Sequence, residues 1–325
     1  MGESTYAREL EVATAAVVQA AGICRSIQGA IGAGMLEKSD RSPVTVADYC
    51  SQAVVCRALS QALPGDPIVA EEDTTDLRQP EHAAVLQRML TELAAVDEPD
   101  AQEVLRLVEL GNASADHPRL WTLDPIDGTK GFLRGEQYAI ALGLLVEGRV
   151  VLGALACPNL PCGDETGAVL TAVRGQGAFM APLSHPEQRQ PIRVSPTRDV
   201  RHARTCESVE SGHSAHGTSA QVVQRLGIEA APVRLDSQAK YAVVARGEAE
   251  IYLRLPTRKD YQEKIWDHAA GCIVVEEAGG RVTDVRGEPL DFSRGRTLAG
   301  NRGVVASNAA VHDQFLRTLA DLDVR

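Results

Sequence analysis

The sequence predicts an α/β protein in which sheets and helices form alternating layers over two domains. With 325 residues, the chain is longer than one hydrophobic core usually supports. Its start carries an apolar stripe at helical spacing, and its middle holds paired apolar runs typical of a β-hairpin. Strand-like and helix-like runs alternate in the last third, as expected for a sheet covered by helices.

The N-terminal part of the chain predicts two helices followed by a short strand. Apolar residues recur at intervals of three and four over residues 10–31, and a second helical segment is expected over residues 45–63. Residues 68–70 form a short apolar strand that runs directly into Glu71. Residues 77–118 are polar and helical in composition, and we interpret them as an excursion from the core.

The centre of the chain predicts a hairpin of buried strands. Residues 138–146 and 149–156 are apolar runs joined at Glu147 and Gly148. Residues 170–179 continue in the same pattern, so we expect them to extend the sheet.

The stretch from Pro182 to Pro196 predicts the domain boundary, because it is rich in Pro, Gln and Arg. We therefore assign residues 1–185 to an N-terminal domain and residues 186–325 to a C-terminal domain. Beyond the boundary, strand-like and helix-like runs alternate. The strand-like runs are 233–235, 251–253 and 304–306, and the helix-like runs are 220–226, 266–277 and 310–319.

Composition narrows the classes of function. A formal net charge of −11 argues against binding to nucleic-acid backbones or anionic membranes, although local cations can still attract a small anionic substrate. The seven cysteines are odd in number and lack C-x-x-C spacing, which indicates reduced thiols. We expect a cytoplasmic protein; an organellar one would require that a targeting segment had been removed. No run of eighteen apolar residues is present, so we expect no membrane span, and we expect a monomer.

Residues 121–132 carry the most informative motif, Trp-Thr-Leu-Asp-Pro-Ile-Asp-Gly-Thr-Lys-Gly-Phe. Asp124 and Asp127 lie three positions apart, and Gly128 permits a sharp turn before the Thr129 hydroxyl. Carboxylate oxygens suit hard cations such as Mg²⁺, and free N–H groups at a helix start suit a phosphate. One short turn could hold both groups of a metal-assisted phosphate hydrolysis. An acidic surface turn is the alternative interpretation.

Three further acidic positions have both a functional and a structural interpretation. Glu71 follows a strand, where open sheets expose side chains to a cleft, and Glu72 should point to the opposite face. Asp267 lies at an apparent helix start and can cap that helix, with His268 expected beside the site rather than as a ligand. Asp48 can be a first-turn helix acid.

Taken together, these segments resemble the lithium-sensitive, Mg²⁺-dependent phosphomonoesterase superfamily, which includes inositol monophosphatase and fructose-1,6-bisphosphatase. The matching segments are Ser-Pro-Val-Thr-Val-Ala-Asp (42–48), Ala-Glu-Glu-Asp (70–73), Asp-Pro-Ile-Asp-Gly-Thr (124–129) and Trp-Asp-His-Ala-Ala-Gly (266–271). The resemblance covers nearly the whole chain. It implies a two-domain α-β-α-β-α sandwich and inhibition by Li⁺.

Four longer segments are similar to the branch of this superfamily that hydrolyses nucleotide 3′,5′-bisphosphates. These segments are residues 127–142, 209–214, 235–241 and 252–256. The similarity implies hydrolysis of the 3′-phosphate of adenosine 3′,5′-bisphosphate to AMP and phosphate. It also implies 3′-phosphoadenosine 5′-phosphosulfate as a second candidate substrate.

The resemblance implies a site with two Mg²⁺ ions and a third, loosely held ion near Glu71. Glu71, Asp124 and the backbone carbonyl of Ile126 would hold the ion that activates water. Asp124, Asp127 and Asp267 would hold the ion that faces the leaving oxygen.

The resemblance also implies the residues around the metal ions. Asp48 and Thr129 would orient and deprotonate the attacking water, and the N–H groups of Gly128 and Thr129 would hold the phosphate. The nucleoside and its second phosphate would contact four residues, His213, Ser237, Lys240 and Arg254.

Two alternatives stay open at this point. A phosphatase of inositol phosphates would share the metal ligands and differ in the substrate pocket. A non-catalytic nucleotide-binding sensor would be favoured by a missing metal ligand or by the loss of Thr129, and the sequence retains all of these residues.

Overall fold

The structure is a computed structural model that describes residues 5–31, 46–209, 216–255, 258 and 261–324. The helices are α1 (Ala7–Ile31), α2 (Val46–Ala62), α3 (Ala83–Leu93), α4 (Ala101–Glu109), α5 (Thr129–Arg134), α6 (His216–Leu226), α7 (Ala239–Ala245), α8 (Ala269–Glu277) and α9 (His312–Asp321). The strands are β1 (Ile68–Ala70), β2 (Arg119–Asp127), β3 (Ala139–Val146), β4 (Arg149–Cys162), β5 (Glu165–Val173), β6 (Ala178–Pro182), β7 (Gln190–Ile192), β8 (Thr205–Glu207), β9 (Val233–Arg234), β10 (Ile251–Arg254), β11 (Arg281–Thr283) and β12 (Val304–Ser307).

The first sheet contains β1 to β7 in chain order. β1 and β2 run parallel, and the other neighbouring strands are antiparallel. α1 and α2 cover one face of this sheet, and α8 covers the other. β3 and β4 confirm the predicted hairpin, and their turn has positive φ at both Glu147 and Gly148, as two-residue hairpins favour.

The second sheet has the strand order β11-β12-β10-β8-β9 and mixes parallel and antiparallel pairs. α7 and α8 lie between the two sheets, and α6 and α9 cover the outer face of the second one. The predicted α-β-α-β-α sandwich is therefore confirmed. The sequence patterns did not indicate β7, β8 or β11, which have only three residues each, or α7, whose residues are all buried and show no amphipathic period.

The polar segment 77–118 belongs to the first helical layer, which corrects its interpretation as an excursion from the core. α3 and α4 each present one apolar face to α2. The buried side chains on these faces are Met89, Leu93, Val104, Leu107 and Val108. The polar composition of the segment reflects the outer faces of two amphipathic helices.

α1 is long and apolar enough to cross a membrane over Ala7–Ala30, with a mean hydropathy of 1.3. This finding rests on length and composition alone, and the expectation of no membrane span stays a prediction. α1 packs against α2 and against β3, β4 and β5, and its buried face includes Val17, Ala20 and Ile27. Its apolar residues thus form part of the core of the first layer.

The change from the first sheet to the second falls between Ile192 and Thr205. β7 pairs with β6 although it follows residue 185. The division into residues 1–185 and 186–325 stays a prediction.

All seven cysteines are buried and form no disulfide bonds, as expected for reduced thiols. Burial raises the pKa of the Cys56, Cys157 and Cys206 thiols to about 12. These thiols are therefore poor nucleophiles at neutral pH.

Candidate active site

The ends of β1 and β2 bring Glu71 and Asp124 together. The two strands are parallel, with Ala70 opposite Leu123, so the residues that follow leave the sheet at the same edge. The Glu71 N–H donates to the Leu123 carbonyl at 3.2 Å, and the Glu71 and Asp124 carboxyl groups share a hydrogen bond.

An irregularity in β2 places Asp124 and Asp127 on the same cavity. In a regular strand, residues three positions apart project to opposite faces. The pairing of β2 with β3 shifts between these two acids, because Asp124 lies opposite Ala141 and Asp127 lies opposite Ala139. Pro125 lacks an N–H donor and falls within this β-bulge.

Gly128 and Thr129 form the turn that follows. Gly128 has a φ of 88°, in the left-handed region that favours glycine, and a Cβ atom there would lie 3.0 Å from the Ser237 Cβ. α5 begins at Thr129, whose Oγ1 donates to the Ile126 carbonyl at 3.3 Å. The N–H groups predicted to hold a phosphate thus lie where β2 gives way to α5.

Asp267 comes from the turn before α8 and not from the helix itself. α8 has His268 as its N-cap residue, so the predicted capping role of Asp267 is wrong. Asp267 forms an ion pair with Arg254 at 3.3 Å instead. His268 is buried, and its ring nitrogens contact the Tyr241 hydroxyl at 2.7 Å and Glu263 at 3.2 Å, which places it beside the site as expected.

One cavity of about 270 Å³ brings most of the predicted residues together. This volume suits a small molecule. The lining residues are Glu71, Glu72, Asp124, Ile126, Asp127, Gly128, Thr129, Lys130, Asp236, Ser237, Gln238, Lys240, Tyr252, Arg254, Tyr261 and Asp267. Both Glu71 and Glu72 line it, and the expectation that only one of them joins the metal site stays a prediction.

Three acids of this cavity, Glu71, Asp124 and Asp267, have pKa values above those of ordinary carboxyl groups. Burial and the carboxylates of Asp267, Asp48 and Asp127 raise the pKa of Glu71 to about 8. Burial and the same neighbours, together with Glu71, raise the pKa of Asp124 well above its ordinary value. Burial raises the pKa of Asp267 to about 6, although the Arg254 guanidinium opposes this shift.

The donor set fits Mg²⁺. It consists of oxygen atoms only, and the raised pKa values show that the clustered carboxylates lack sufficient positive charge nearby. Asp124 Oδ1 is buried without a hydrogen-bond partner among the described residues. Glu71, Asp124, Asp127 and Asp267 could hold metal ions here, and Ile126 could contribute only its carbonyl, because its side chain is buried in the apolar core.

Asp48 lies in the first turn of α2 and is buried. Its charge contributes to the raised pKa of both Glu71 and Asp124, so it lies within electrostatic reach of the site. Its pairing with Thr129 stays a prediction.

Three of the four residues predicted to contact substrate line the cavity. Lys240 Nζ donates to the carbonyls of Leu235 and Ser237 at 3.2 and 2.8 Å and lies 5.3 Å from the centre of the Tyr252 ring, so these bonds use two of its three N–H donors. Arg254 pairs with Glu263 at 2.7 Å as well as with Asp267, so its role is broader than the predicted contact with substrate. His213 lies outside the described residues.

Glu263, Asp267 and His268 place three metal-binding side chains within 4.8 Å of one another. The Arg254 guanidinium already contacts both carboxylates and supplies the positive charge there. This group therefore acts as an ion-pair cluster beside the cavity. Glu263 was not predicted from the sequence, although it lies four residues before Asp267, because no local pattern indicates that Arg254 is its partner.

The free energy of unfolding of the metal-free protein is expected to fall as pH rises from 6.5 to 8. Glu71 has a folded-state pKa of about 8 against an ordinary 4.5, so its stabilising contribution is complete below pH 4.5 and is lost as pH rises through 8. His312 acts in the opposite direction, because burial lowers its pKa to about 4 from 6.5, but its effect is confined to pH below 6.5. Thermal unfolding in EDTA at pH 6.5, 7.2 and 8.0 measures this trend.

The same unfolding measurement on Glu71→Gln, and on the wild type with Mg²⁺, tests whether Glu71 causes this fall in stability. Glu71→Gln should flatten the fall, and Mg²⁺ should oppose it, because metal binding requires the deprotonated carboxylates. A melting temperature in EDTA that stays constant or rises between pH 6.5 and 8 would contradict the raised pKa of Glu71.

Comparisons with known proteins agree over almost the whole chain. The model of the inositol monophosphatase family matches residues 6–322. The 3′(2′),5′-bisphosphate nucleotidase of Emericella nidulans is 43% identical over 342 residues, covering 96% of this chain and 97% of the relative. The 3′(2′),5′-bisphosphate nucleotidase 1 of Arabidopsis thaliana is 44% identical over 341 residues, covering 97% and 96%.

Solved structures show the same fold. An inositol monophosphatase from Anabaena superposes with a TM-score of 0.65 at 22% identity, covering 98% of this chain and 97% of that chain. An IMPase from Thermotoga maritima superposes with a TM-score of 0.67 at 20% identity, covering 97% and 98%. Since the family model and relatives above 40% identity both extend over nearly all of its length, this chain belongs to the inositol monophosphatase family.

Proposed function

We propose that this chain is a metal-dependent phosphomonoesterase that hydrolyses the 3′-phosphate of adenosine 3′,5′-bisphosphate to AMP and phosphate. The observation that carries the chemistry is the convergence of Glu71, Asp124, Asp127 and Asp267 on one cavity. The consistent naming of full-length relatives as 3′(2′),5′-bisphosphate nucleotidases supports the choice of substrate. The second candidate substrate is 3′-phosphoadenosine 5′-phosphosulfate.

The four acids, with the Ile126 carbonyl, would hold two Mg²⁺ ions, and a third could lie near Glu71. Bound Mg²⁺ would supply a nucleophile at neutral pH and offset the charge that develops on the phosphate. Phosphate monoesters hydrolyse extremely slowly unaided, so charge stabilisation must provide most of the rate enhancement.

The chain itself positions the reacting groups. The N–H groups of Gly128 and Thr129 would donate to the phosphate at the start of α5. Thr129 Oγ1 would accept a proton from the attacking water while its own hydroxyl proton passes to the buried Asp48 carboxylate. Lys240 supplies its remaining N–H donor to the second phosphate, and Ser237 lies between Lys240 and Gly128 at the same cavity.

A phosphate-release panel tests this function. With Mg²⁺, kcat/KM for adenosine 3′,5′-bisphosphate should exceed that for inositol 1,4-bisphosphate by about a hundredfold, because buried polar groups left unpaired penalise the wrong ligand. EDTA should abolish release from both. Equal or higher kcat/KM for the inositol phosphate would assign the chain to the inositol phosphatases instead.

Lys240→Met tests whether Lys240 binds the second phosphate of the substrate. The variant keeps the volume of the side chain and removes its charge. It should raise KM for adenosine 3′,5′-bisphosphate by about tenfold and leave KM for adenosine 3′-monophosphate unchanged, since a charged hydrogen bond contributes about 1.4 kcal/mol or more. An equal change for both ligands would remove Lys240 from the substrate pocket.

A further inference from the structure

Trp266 is held from two sides beside the candidate metal site. Its backbone carbonyl accepts a hydrogen bond from Gln238 Nε2 at 2.8 Å, and the Arg296 guanidinium carbon lies 4.7 Å from the centre of its ring. The side chain is buried. Because Trp266 directly precedes Asp267, the Gln238 bond holds the backbone that delivers this acid to the cavity, and the Arg296 contact holds the neighbouring side chain.

Gln238 connects that turn to Asp127. Its backbone N–H donates to Asp127 Oδ2 at 2.5 Å, and its side-chain Oε1 accepts from the Gly271 N–H at 2.9 Å in α8. Gln238 is only 1% exposed. Ser237 before it has a φ of 66°, which a residue other than glycine adopts at a cost. The strained turn aims the Gln238 N–H at Asp127.

Arg296 connects the same turn to Glu71. Its Nη2 donates to the Ala70 carbonyl at 2.5 Å, and Ala70 directly precedes Glu71 at the end of β1. Its guanidinium covers the Trp266 ring with the other part of its surface. Arg296 thus joins a strand end of the first sheet to the turn before α8.

We propose that Gln238 and Arg296 together clamp Trp266 and act as positioning residues that fix Asp267 relative to Asp127 and Glu71. Strand pairing already holds Glu71 against Asp124, whereas the backbone pairing of residues 263–265 with residues 296–298 ends before Trp266 and Asp267. Four converging carboxylates repel one another; the Arg254 ion pair restrains the Asp267 side chain, and the clamp restrains the backbone that carries it before a cation binds. This inference rests on the proposed metal site and adds the residues that preorganise it.

Isothermal titration of the metal-free full chain with Mg²⁺ tests the clamp. Arg296→Gln and Gln238→Met should each weaken Mg²⁺ binding by about tenfold. Removing the positive charge of Arg296 would by itself strengthen cation binding, so weaker binding would have to arise from lost positioning. Arg296→Lys should recover part of the affinity, because it can still donate to the Ala70 carbonyl.

Thermal unfolding in EDTA separates positioning from general stability. Arg296→Gln loses one bond to a backbone carbonyl and one positive charge beside acids, so the melting temperature of the metal-free variant should fall by no more than it does when another arginine with the same two kinds of contact is replaced. Arg174→Gln is the matched control, because Arg174 Nη2 donates to the Val150 carbonyl at 2.8 Å and Nη1 contacts Glu276 near the opposite end of α8. Its Mg²⁺ affinity should stay within about twofold of the wild type, well below the effect expected at the clamp.

The clamp is overturned if Arg296→Gln binds Mg²⁺ as tightly as Arg174→Gln, or if its loss of affinity accompanies a melting temperature several degrees below that of Arg174→Gln. If Gln238→Met does not fold, the two Arg296 variants still decide. If Gln238→Met folds, the double variant with Arg296→Gln should lose less Mg²⁺ affinity than the product of the two single fold-losses, because both residues act on one turn. A loss of affinity equal to that product would overturn the shared clamp. A wild-type chain that does not bind Mg²⁺ overturns the proposed function as well.

Discussion

Asp124→Asn is expected to lower kcat for phosphate release by at least about a thousandfold while the chain stays folded. Asp124 is 2% exposed, contacts Glu71 and lies within electrostatic reach of Asp127 and Asp267. It is the one acid predicted to contact both Mg²⁺ ions. Charge stabilisation by metal ions is worth several kcal/mol, and about 1.4 kcal/mol corresponds to each factor of ten in rate.

Asp124→Asn should not lower the stability of the metal-free protein, although it lowers kcat. Burial and neighbouring carboxylates raise the pKa of Asp124, so its ionised form destabilises the fold and a neutral side chain of the same shape should not. The melting temperature of Asp124→Asn in EDTA should equal or exceed that of the wild type. Steady-state phosphate release at saturating Mg²⁺ and thermal unfolding in EDTA measure the two effects.

Asp164→Asn is the control for this pair of measurements. Asp164 is an exposed acid in the turn between β4 and β5, so its loss should change neither activity nor stability. Retention of a tenth of the wild-type activity by Asp124→Asn would disprove its role as a shared ligand. A lower melting temperature in EDTA would instead contradict the electrostatic strain inferred at Asp124.

The parts of the fold that the sequence predicted are those with a complete local signal. The β3–β4 hairpin has two long apolar runs and a turn with positive φ, and α8 ends where Gly279 takes a φ of 90°. α3 and α4 were placed outside the core because their polar faces dominate the composition of the segment. α7 was missed because seven buried residues, including Lys240, show no amphipathic period.

The candidate site was predictable in its chemistry and not in its geometry. Oxygen donors beside a Gly-Thr turn suggest a metal and a phosphate wherever they occur. That Asp124 and Asp127 face one cavity depends on a bulge that the motif does not reveal. The bond between Arg296 and Ala70 joins residues 226 positions apart, and no local pattern announces it. Tertiary contacts of this kind decide where Asp267 lies.

Arg254→Met is expected to lower the free energy of unfolding of the metal-free protein by about 3 kcal/mol, the lower end of the range for breaking a buried ion pair. The Arg254 side chain is 15% exposed and contacts both Glu263 and Asp267. Burial disfavours ionisation of Glu263, yet the guanidinium outweighs it and lowers the pKa of Glu263 to about 2. Without Arg254, that carboxylate stays buried with only His268 beside it. Thermal unfolding in EDTA measures the loss.

The partners of Arg254 determine what restores stability. Glu263→Gln in the Arg254→Met background should recover part of the loss, because it removes the buried charge left unpaired. Mg²⁺ should recover only the part that concerns Asp267, since Glu263 lies outside the predicted ligand set. A wild-type melting temperature for Arg254→Met would show that the ion pairs do not stabilise the fold, which would leave contact with substrate as the role of Arg254. A large loss of stability that Glu263→Gln partly reverses would show that Arg254 neutralises Glu263 and Asp267. In that case, a contact between Arg254 and a nucleotide phosphate would depend on Mg²⁺ bound at Asp267.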